Sequence, residues 1–420
     1  MTTTAAAPAR ENSTARVALT ALAASSIEWY DFFIYGTAAA LVFPKLFFAA
    51  DLPPMVATLA SFSTFAVGFI ARPVGGVIFG HFGDKFGRKR ALVVAMMLMG
   101  GATTAVGLLP GYATLGVAAP LILIVLRFLQ GLAVGGQWGG AALLAIESAP
   151  PGQRGFYGSF AQLGVPAGVV LANLVFLLMA DWVDPEAFQA WGWRAPFLAS
   201  ILLVALGLYV QLRLEDTPEF KALAETADAT KAAEAKARRS PILQAIMRHP
   251  REILLAAGAF VASNGCFYII ITYVVSYATT QLDLSKSTVL WAVLLGSLIS
   301  APSLPAAAAL SDRFGRRGVF MLGGLLSAAW AVPFFKLVDT GAFGPMLAAI
   351  ATGLILLNLM YGPQAALFAE LFSVELRYSG ASLGYQLGAI LGGGFAPMIA
   401  VALLDHFQSS MAISGYMVVL

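Results

Sequence analysis

Two near-copies of one charged signature sit at the ends of apolar stretches: Gly83-Asp84-Lys85-Phe86-Gly87-Arg88-Lys89-Arg90 and Ser311-Asp312-Arg313-Phe314-Gly315-Arg316-Arg317. A second pair repeats alongside them. Glu147 is followed by Arg154 as Glu370 is followed by Arg377, at the same spacing. Two independent matches at corresponding places indicate a chain built twice, with equivalent elements pointing the same way.

What is built twice is set by the solvent. The 420 residues are 59% hydrophobic and 11% charged, where soluble domains carry about 25% charged residues. Such a chain cannot cover itself with polar surface, so its solvent is largely lipid. Apolar blocks of about 20 residues recur, the length that crosses a hydrocarbon core as helix. Backbone groups in lipid must bond internally, and the polar, Gly-rich breaks favour helices over a closed barrel. The blocks predict spans at roughly 18–48, 55–82, 91–109, 118–147, 156–180, 191–213, 251–280, 287–310, 318–338, 345–371 and 378–404. A twelfth begins near Met411 and is cut off at Leu420, too short to cross as helix. The expected fold is an all-α membrane protein of two six-helix bundles related by a pseudo-two-fold axis, with the twelfth helix truncated. The expected units are residues 1–213, a linker at 214–250, and residues 251–420. An Ala/Glu/Lys pattern from Glu219 to Arg239 predicts a surface helix within the linker.

The formal charge of +3 is a topology signal rather than a nucleic-acid signal. Loops on the N-terminal side hold most of the Lys and Arg, whereas the opposite side holds Lys45, Arg194, Lys286 and Lys336. That asymmetry places the N-terminus and the linker in the cytoplasm. The single cysteine, Cys266, lies in an apolar stretch and excludes a disulfide framework. The N-terminal apolar run lacks the form of a cleavable leader.

Ionisable groups inside lipid are costly and persist when paired or functional. The first span carries Glu28 and Asp31, the second Arg72, the fourth Arg127. Glu28 and Asp31 are three apart and are expected on one helix face. Asp31 is nearer mid-membrane, among Trp29, Tyr30, Phe32 and Phe33. Burial there disfavours its charged form and a nearby cation favours it, so it can load and release a proton. Arg127 keeps its charge and is expected to pair with Asp31 or with an anionic substrate. A fixed ion pair that only holds helix register is the plain alternative, and Arg72, towards the cytoplasmic end, reads as structural.

The fourth span continues as Gln130-Gly131 and Gly135-Gly136-Gln137-Trp138-Gly139-Gly140. Its glycines point to close helix packing, and Gln130 and Gln137 share a face. The second half has no mid-span charge but carries Asn264, Tyr268, Asn358, Tyr361, Gln364, Tyr385 and Gln386. With Tyr35 these are the candidate substrate contacts, since amides in lipid need a partner or a wet cavity. Gly392-Gly393-Gly394 predicts close packing or a bend in the eleventh span. His81, His249 and His406 fall at loops, which disfavours a histidine relay. Gly83, Asp84, Gly87, Arg88, Glu147 and Arg154, with Asp312, Gly315, Arg316, Glu370 and Arg377, form the candidate gating set. Carboxylates at those helix ends can cap a helix or pair with an arginine in one conformation and release it in another.

These residues resemble the major facilitator superfamily. Gly80, Asp84 and Gly87-Arg88-Lys89 are similar to its loop motif, and Arg127-xx-Gln130-Gly131 to its fourth-span motif, which is associated with proton coupling. Ile27 to Gly36, Ala71-Arg72-Pro73-Val74-Gly75-Gly76, Trp191 to Phe197 and Arg377-Tyr378-Ser379-Gly380-Ala381 resemble the bacterial metabolite:H+ symporters, carriers of shikimate, α-ketoglutarate, citrate, and proline or betaine. The resemblance covers the whole chain. It implies an inner-membrane symporter with Asp31 and Arg127 near the coupling site. One departure is Gln137, where relatives usually have Glu; Gln cannot titrate.

The sequence therefore predicts rocker-switch, proton-coupled import of a small polar metabolite, with an organic acid preferred and a zwitterion compatible. Its partners are that solute and the bilayer. No cofactor beyond the proton, no metal, no nucleic acid and a monomeric state are expected. An uncoupled facilitator or exporter is the nearest rival, and a non-transporting membrane sensor the rival from another class. No nucleophile–base pair or nucleotide loop suggests an enzyme.

Overall fold

The computed structural model describes residues 7–86, 88–147, 149, 152–214, 246–373 and 377–420. Side chains at 7–21, 23, 24, 80–92, 136–147, 161, 203, 206–214 and 377–379 are not among those described. The helix expected between Glu219 and Arg239 lies outside these residues.

Among the described residues every regular element is helical. In the first half these are α1 (Ala7–Leu41), α2 (Pro54–Phe86), α3 (Arg88–Leu108), α4 (Ala118–Glu147), α5 (Arg154–Trp182) and α6 (Ala195–Leu214). In the second half they are α7 (Pro250–Thr280), α8 (Lys286–Phe314), α9 (Arg316–Val338), α10 (Phe343–Leu371), α11 (Arg377–Ala389 continuing to Ala396–Phe407) and α12 (Ser410–Val419). Eight of these are long and apolar enough to cross a membrane by length and composition.

The boundaries differ from expectation where backbone chemistry intervenes. α1 ends at Leu41 rather than 48, because the Phe43-Pro44 step starts a separate short turn, Phe43–Leu46. Trp191-Gly192-Trp193-Arg194 forms a 3₁₀ turn before α6 rather than its first turn. α8 is broken at Ala301-Pro302 into Lys286–Ser300 and Ser303–Phe314. α7 and α11 each contain a π turn, at Ile269–Tyr273 and Ile390–Gly394. Such turns cluster at functional sites, and the second absorbs the Gly392-Gly393-Gly394 run. A Cβ at Gly393 would lie 2.7 Å from the Phe69 ring of α2.

The packing is two-fold. α1 packs on α5 as α7 packs on α11, and α2 on α4 as α8 on α10. α3 packs on α4 and α6 as α9 packs on α10 and α12. Across the halves α5 meets α8 and α2 meets α11, two contacts that exchange when the halves are exchanged; α1 meets α7. This is the major facilitator architecture. Within it α2 and α4 touch backbone to backbone: a Cβ at Gly131 would run into the Gly68 carbonyl, and one at Gly135 into the Arg72 carbonyl. The predicted close packing of the fourth span is thus against α2.

Candidate functional site

The two buried arginines of the first half lie against aromatic faces. Arg127 is fully buried, with its guanidinium 4.2 Å from the Phe32 ring centre, 4.1 Å from Tyr35 and 4.8 Å from Phe65. Arg72 covers the same Phe32 ring at 4.4 Å and Phe69 at 4.6 Å. Two like charges share one ring because each gains cation–π attraction there, which strengthens when water is excluded. Nε and Nη2 of both arginines make no hydrogen bond.

Asp31 is 1% exposed, and neither of its oxygens has a hydrogen-bond partner. The hydroxyls of Thr103 on α3 and Ser200 on α6 face it. Thr103 gives its own proton to the Met99 carbonyl (2.8 Å) and accepts from Gln130 Nε2 (2.8 Å). Gln130 Oε1 in turn accepts from Arg127 Nη1 at 3.1 Å. A chain Arg127–Gln130–Thr103 therefore ends beside the carboxyl. Of the two partners expected for Arg127, Asp31 does not contact it here: Asp31 points into the core between α1, α3 and α6, while the guanidinium lies against the rings. Glu28, three residues earlier on α1 and about 60° away around it, has Arg72 as its charged neighbour, and Tyr385 of α11 lies near both. Arg72, read as a structural charge near the helix end, sits in this central cluster.

A wall of rings lies between Arg127 and the second half. Phe32, Phe65 and Phe69 meet Tyr268 of α7 at centroid distances of 6.3, 5.6 and 5.3 Å. Phe33 meets Phe267 at 6.0 Å. Beyond the wall is a cavity between the halves, lined by Trp29 of α1, Val165, Pro166 and Val169 of α5, and residues of α7, α8, α10 and α11. Five of the expected contacts line it: Asn264, Tyr268, Asn358, Tyr361 and Tyr385. Asn358 Nδ2 donates to the Ser300 carbonyl (3.0 Å) and to Ser303 Oγ (2.9 Å), so its amide is oriented by the break in α8. Tyr361 and Tyr385 are hydrogen-bonding neighbours, and Tyr385 stacks on Phe260 at 4.0 Å.

The other expected contacts do not line the cavity. Tyr35 donates to Thr64 (2.8 Å) and backs Arg127. Gln130 is spent within the first bundle. Gln364 and Gln386 are buried elsewhere, Gln364 with both amide atoms unpartnered. The Gln137 side chain lies outside the described residues. Sequence reading passed over Ser263, Ser297 and Ser300, which line the cavity, and Thr103 and Ser200 beside Asp31. The available signal was a hydroxyl in an apolar span, which is too common in membrane helices to single out.

At the signature-loop end, Asp312 of α8 reaches across to the other half. Its Oδ1 accepts from the Gly155 N–H (3.0 Å) and its Oδ2 from the Phe156 N–H (3.1 Å), both in the first turn of α5. A carboxylate there satisfies orphan donors and meets the positive end of the helix dipole. Arg316 Nη1 binds the same Oδ1 at 3.0 Å, and its Nε binds Glu370 Oε1 at 2.6 Å. Gly315, at φ 88°, makes the turn between α8 and α9 that only glycine adopts cheaply. Arg154 opens α5 and is exposed. Gly83 and Asp84 fall in the last turn of α2, Arg88 opens α3, Glu147 ends α4 and Arg377 opens α11; their side chains, and Gly87 altogether, lie outside the described residues.

A duplicated bundle enclosing a central cavity, with contacts between its halves at a loop end, defines a membrane carrier. A family model described as "Sugar (and other) transporter" matches residues 17–419. The chain belongs to this family of the major facilitator superfamily and is a transporter rather than an enzyme. It is 42% identical to the inner membrane metabolite transport protein YhjE of Escherichia coli and 41% identical to that organism's shikimate transporter, over 94% of this chain and 89% of each relative. It is 32% identical to the proline/betaine transporter of Salmonella typhimurium, over 96% of this chain and 81% of the relative. A solved D-xylose-proton symporter shares the fold, with a TM-score of 0.73 at 19% identity over 96% of this chain and 95% of that one. A partially occluded, inward-open xylose transporter from E. coli superposes with a TM-score of 0.71 at 18% identity, over 97% and 95%.

Proposed function

We propose that the chain imports a small polar metabolite with a proton, by rocking its two halves about the central cavity. The N-terminus and the signature loops face the cytoplasm, and the halves are residues 1–213 and 251–420, joined by 214–250. Asp31 carries the proton. The observation that carries this reading is a carboxyl wholly buried and faced by the hydroxyls of Thr103 and Ser200, at the end of the Thr103–Gln130–Arg127 chain. An ion so placed is costly and a neutral acid much less so. The enclosed state therefore suits the loaded carrier, and opening to the cytoplasm must rehydrate the group to release the proton. Arg127 serves through Gln130 and Thr103 rather than as a direct partner. Glu28 and Arg72 hold the seam. The gating residues make and break the loop-end contacts.

An organic acid is the preferred substrate, in keeping with the shikimate transporter among the relatives. A zwitterion is the second reading, favoured by the rings of Trp29, Phe260, Phe267, Tyr268, Tyr361 and Tyr385 around the cavity. Such rings suit a quaternary ammonium. Uptake of labelled carboxylates and betaines into proteoliposomes, with and without an inward proton gradient, separates these readings. Gradient-driven accumulation of one class supports proton symport and names its substrate. Equilibration without accumulation, unchanged by a protonophore, would instead establish an uncoupled facilitator.

A further inference from the structure

α5 and α8 run antiparallel along the seam and touch at both ends. At the end opposite the signature loops, Ser287 Oγ donates to Asp181 Oδ1 at 2.6 Å. Asp181 lies in the last turn of α5, and Ser287 in the first turn of α8, just after its N-cap Ser285. An acid in the last turn of its own helix faces the negative end of that helix's dipole, an unfavourable place. Asp181 is compensated by the N-terminus of the neighbouring helix. The same is true of Asp312, which sits in the last turn of α8 and docks on the N-terminus of α5. Each helix thus sets a C-terminal carboxylate on the other's N-terminal turn. Beside the outer contact, Lys286 lies 4.6 Å from the Phe188 ring centre, which adds a second bridge from α8 to the first half.

We propose that Asp181 and Ser287 are positioning residues of the outer gate, holding α5 to α8 on the outer face as Asp312 holds them on the inner face. Opening outward must break the Asp181–Ser287 contact while the Asp312 contact persists, and opening inward must do the reverse. At each end of this helix pair the closure therefore rests on a carboxylate set against the other helix's first turn, on a hydroxyl outside and on backbone N–H groups inside. This rests on the alternating-access reading.

The test is side-selective labelling of the full chain in membranes. Cys266 is replaced by Ala and a reporter, Ser263→Cys, is placed in the cavity wall. An impermeant maleimide is applied to right-side-out and inside-out vesicles. Asp181→Ala and Ser287→Ala are each expected to raise outside labelling roughly fivefold, the scale of one net hydrogen bond at an exposed contact. Inside labelling should fall, and the double variant should label no faster than either single one. Ser287→Thr keeps the hydroxyl and should label like the parent. Unchanged outside labelling, or equal rises on both faces, overturns the proposal, as does a rise with Thr that matches the rise with Ala. If Asp312→Asn shifts labelling and the outer variants do not, only the outer gate fails. If no variant at either end shifts it, alternating access along α5 and α8 fails with it.

Discussion

Replacing Asp312 by Asn should open the carrier towards the cytoplasm. The carboxylate accepts two backbone N–H bonds at the start of α5, at 3.0 and 3.1 Å, and one from Arg316 at 3.0 Å. Its side chain is only 6% exposed. Asn keeps one acceptor and turns an NH₂ towards a backbone donor, so one N–H bond is lost and the charge at the helix N-terminus disappears. A hydrogen bond to a charged group contributes about 1.5–3 kcal/mol and a charge at a helix terminus about 0.3–1 kcal/mol or more. Arg316 retains Glu370 and is not orphaned, which keeps the total near 3 kcal/mol, or roughly a hundredfold in the balance of states. Labelling of a cavity cysteine from the cytoplasmic side should rise towards saturation while labelling from outside falls. Gly155→Ala approaches the same contact from the other side. Its Cβ would lie 2.8 Å from Arg316 Nη1 and 2.9 Å from Asp312 Oδ1, so the latch must move. Alanine is the better helix former by about 1 kcal/mol, yet the variant should still open inward. Unchanged accessibility in both variants, or equal gains on both faces, would refute the reasoning.

Three further outcomes follow from the packing and the site. Gly135→Val drives a branched side chain into the Arg72 carbonyl, so the purified carrier should lose several degrees of melting temperature and most of its uptake; a normal melt would contradict the α2–α4 contact. Gln130→Leu cuts the chain between Arg127 and Thr103, and should weaken the pH dependence of uptake more than substrate affinity, read as the ratio of accumulation with and without a proton gradient. Asn358→Ala removes the amide oriented by Ser300 and Ser303, and should raise KM about tenfold or more if substrate binds it, as losing a partner in a buried site costs roughly 1–3 kcal/mol; an unchanged KM places substrate elsewhere in the cavity.

The architecture was legible because lipid imposes it. Span length, loop charge and the repeated signature, Asp, then Lys or Arg, then Phe-Gly-Arg, leave few alternatives to paired helical bundles. The site was legible in residue type but not in pairing. Asp31 and Arg127 stand out because charge in lipid is rare, yet which groups they face depends on side-chain direction and on what else competes for the cation. Phe32, Tyr35 and Phe65 won Arg127, an outcome that spacing along one helix does not contain. That Arg72 shares the Phe32 ring with Arg127 was equally out of reach, because it depends on how α1, α2 and α4 cross. The role of Asp312 was half visible. Its position at a helix end suggested a cap, but the helix it caps belongs to the other half, which only three-dimensional contact reveals.

The central claim, that Asp31 carries the coupled proton, is tested most directly by comparing two modes of one reconstituted variant. In proteoliposomes, Asp31→Asn is predicted to exchange external labelled substrate for internal unlabelled substrate at near the parent rate, because the neutral amide mimics the loaded acid. It is also predicted to lose all accumulation driven by a proton gradient. Gradient-driven accumulation at the parent level in Asp31→Asn would contradict the account.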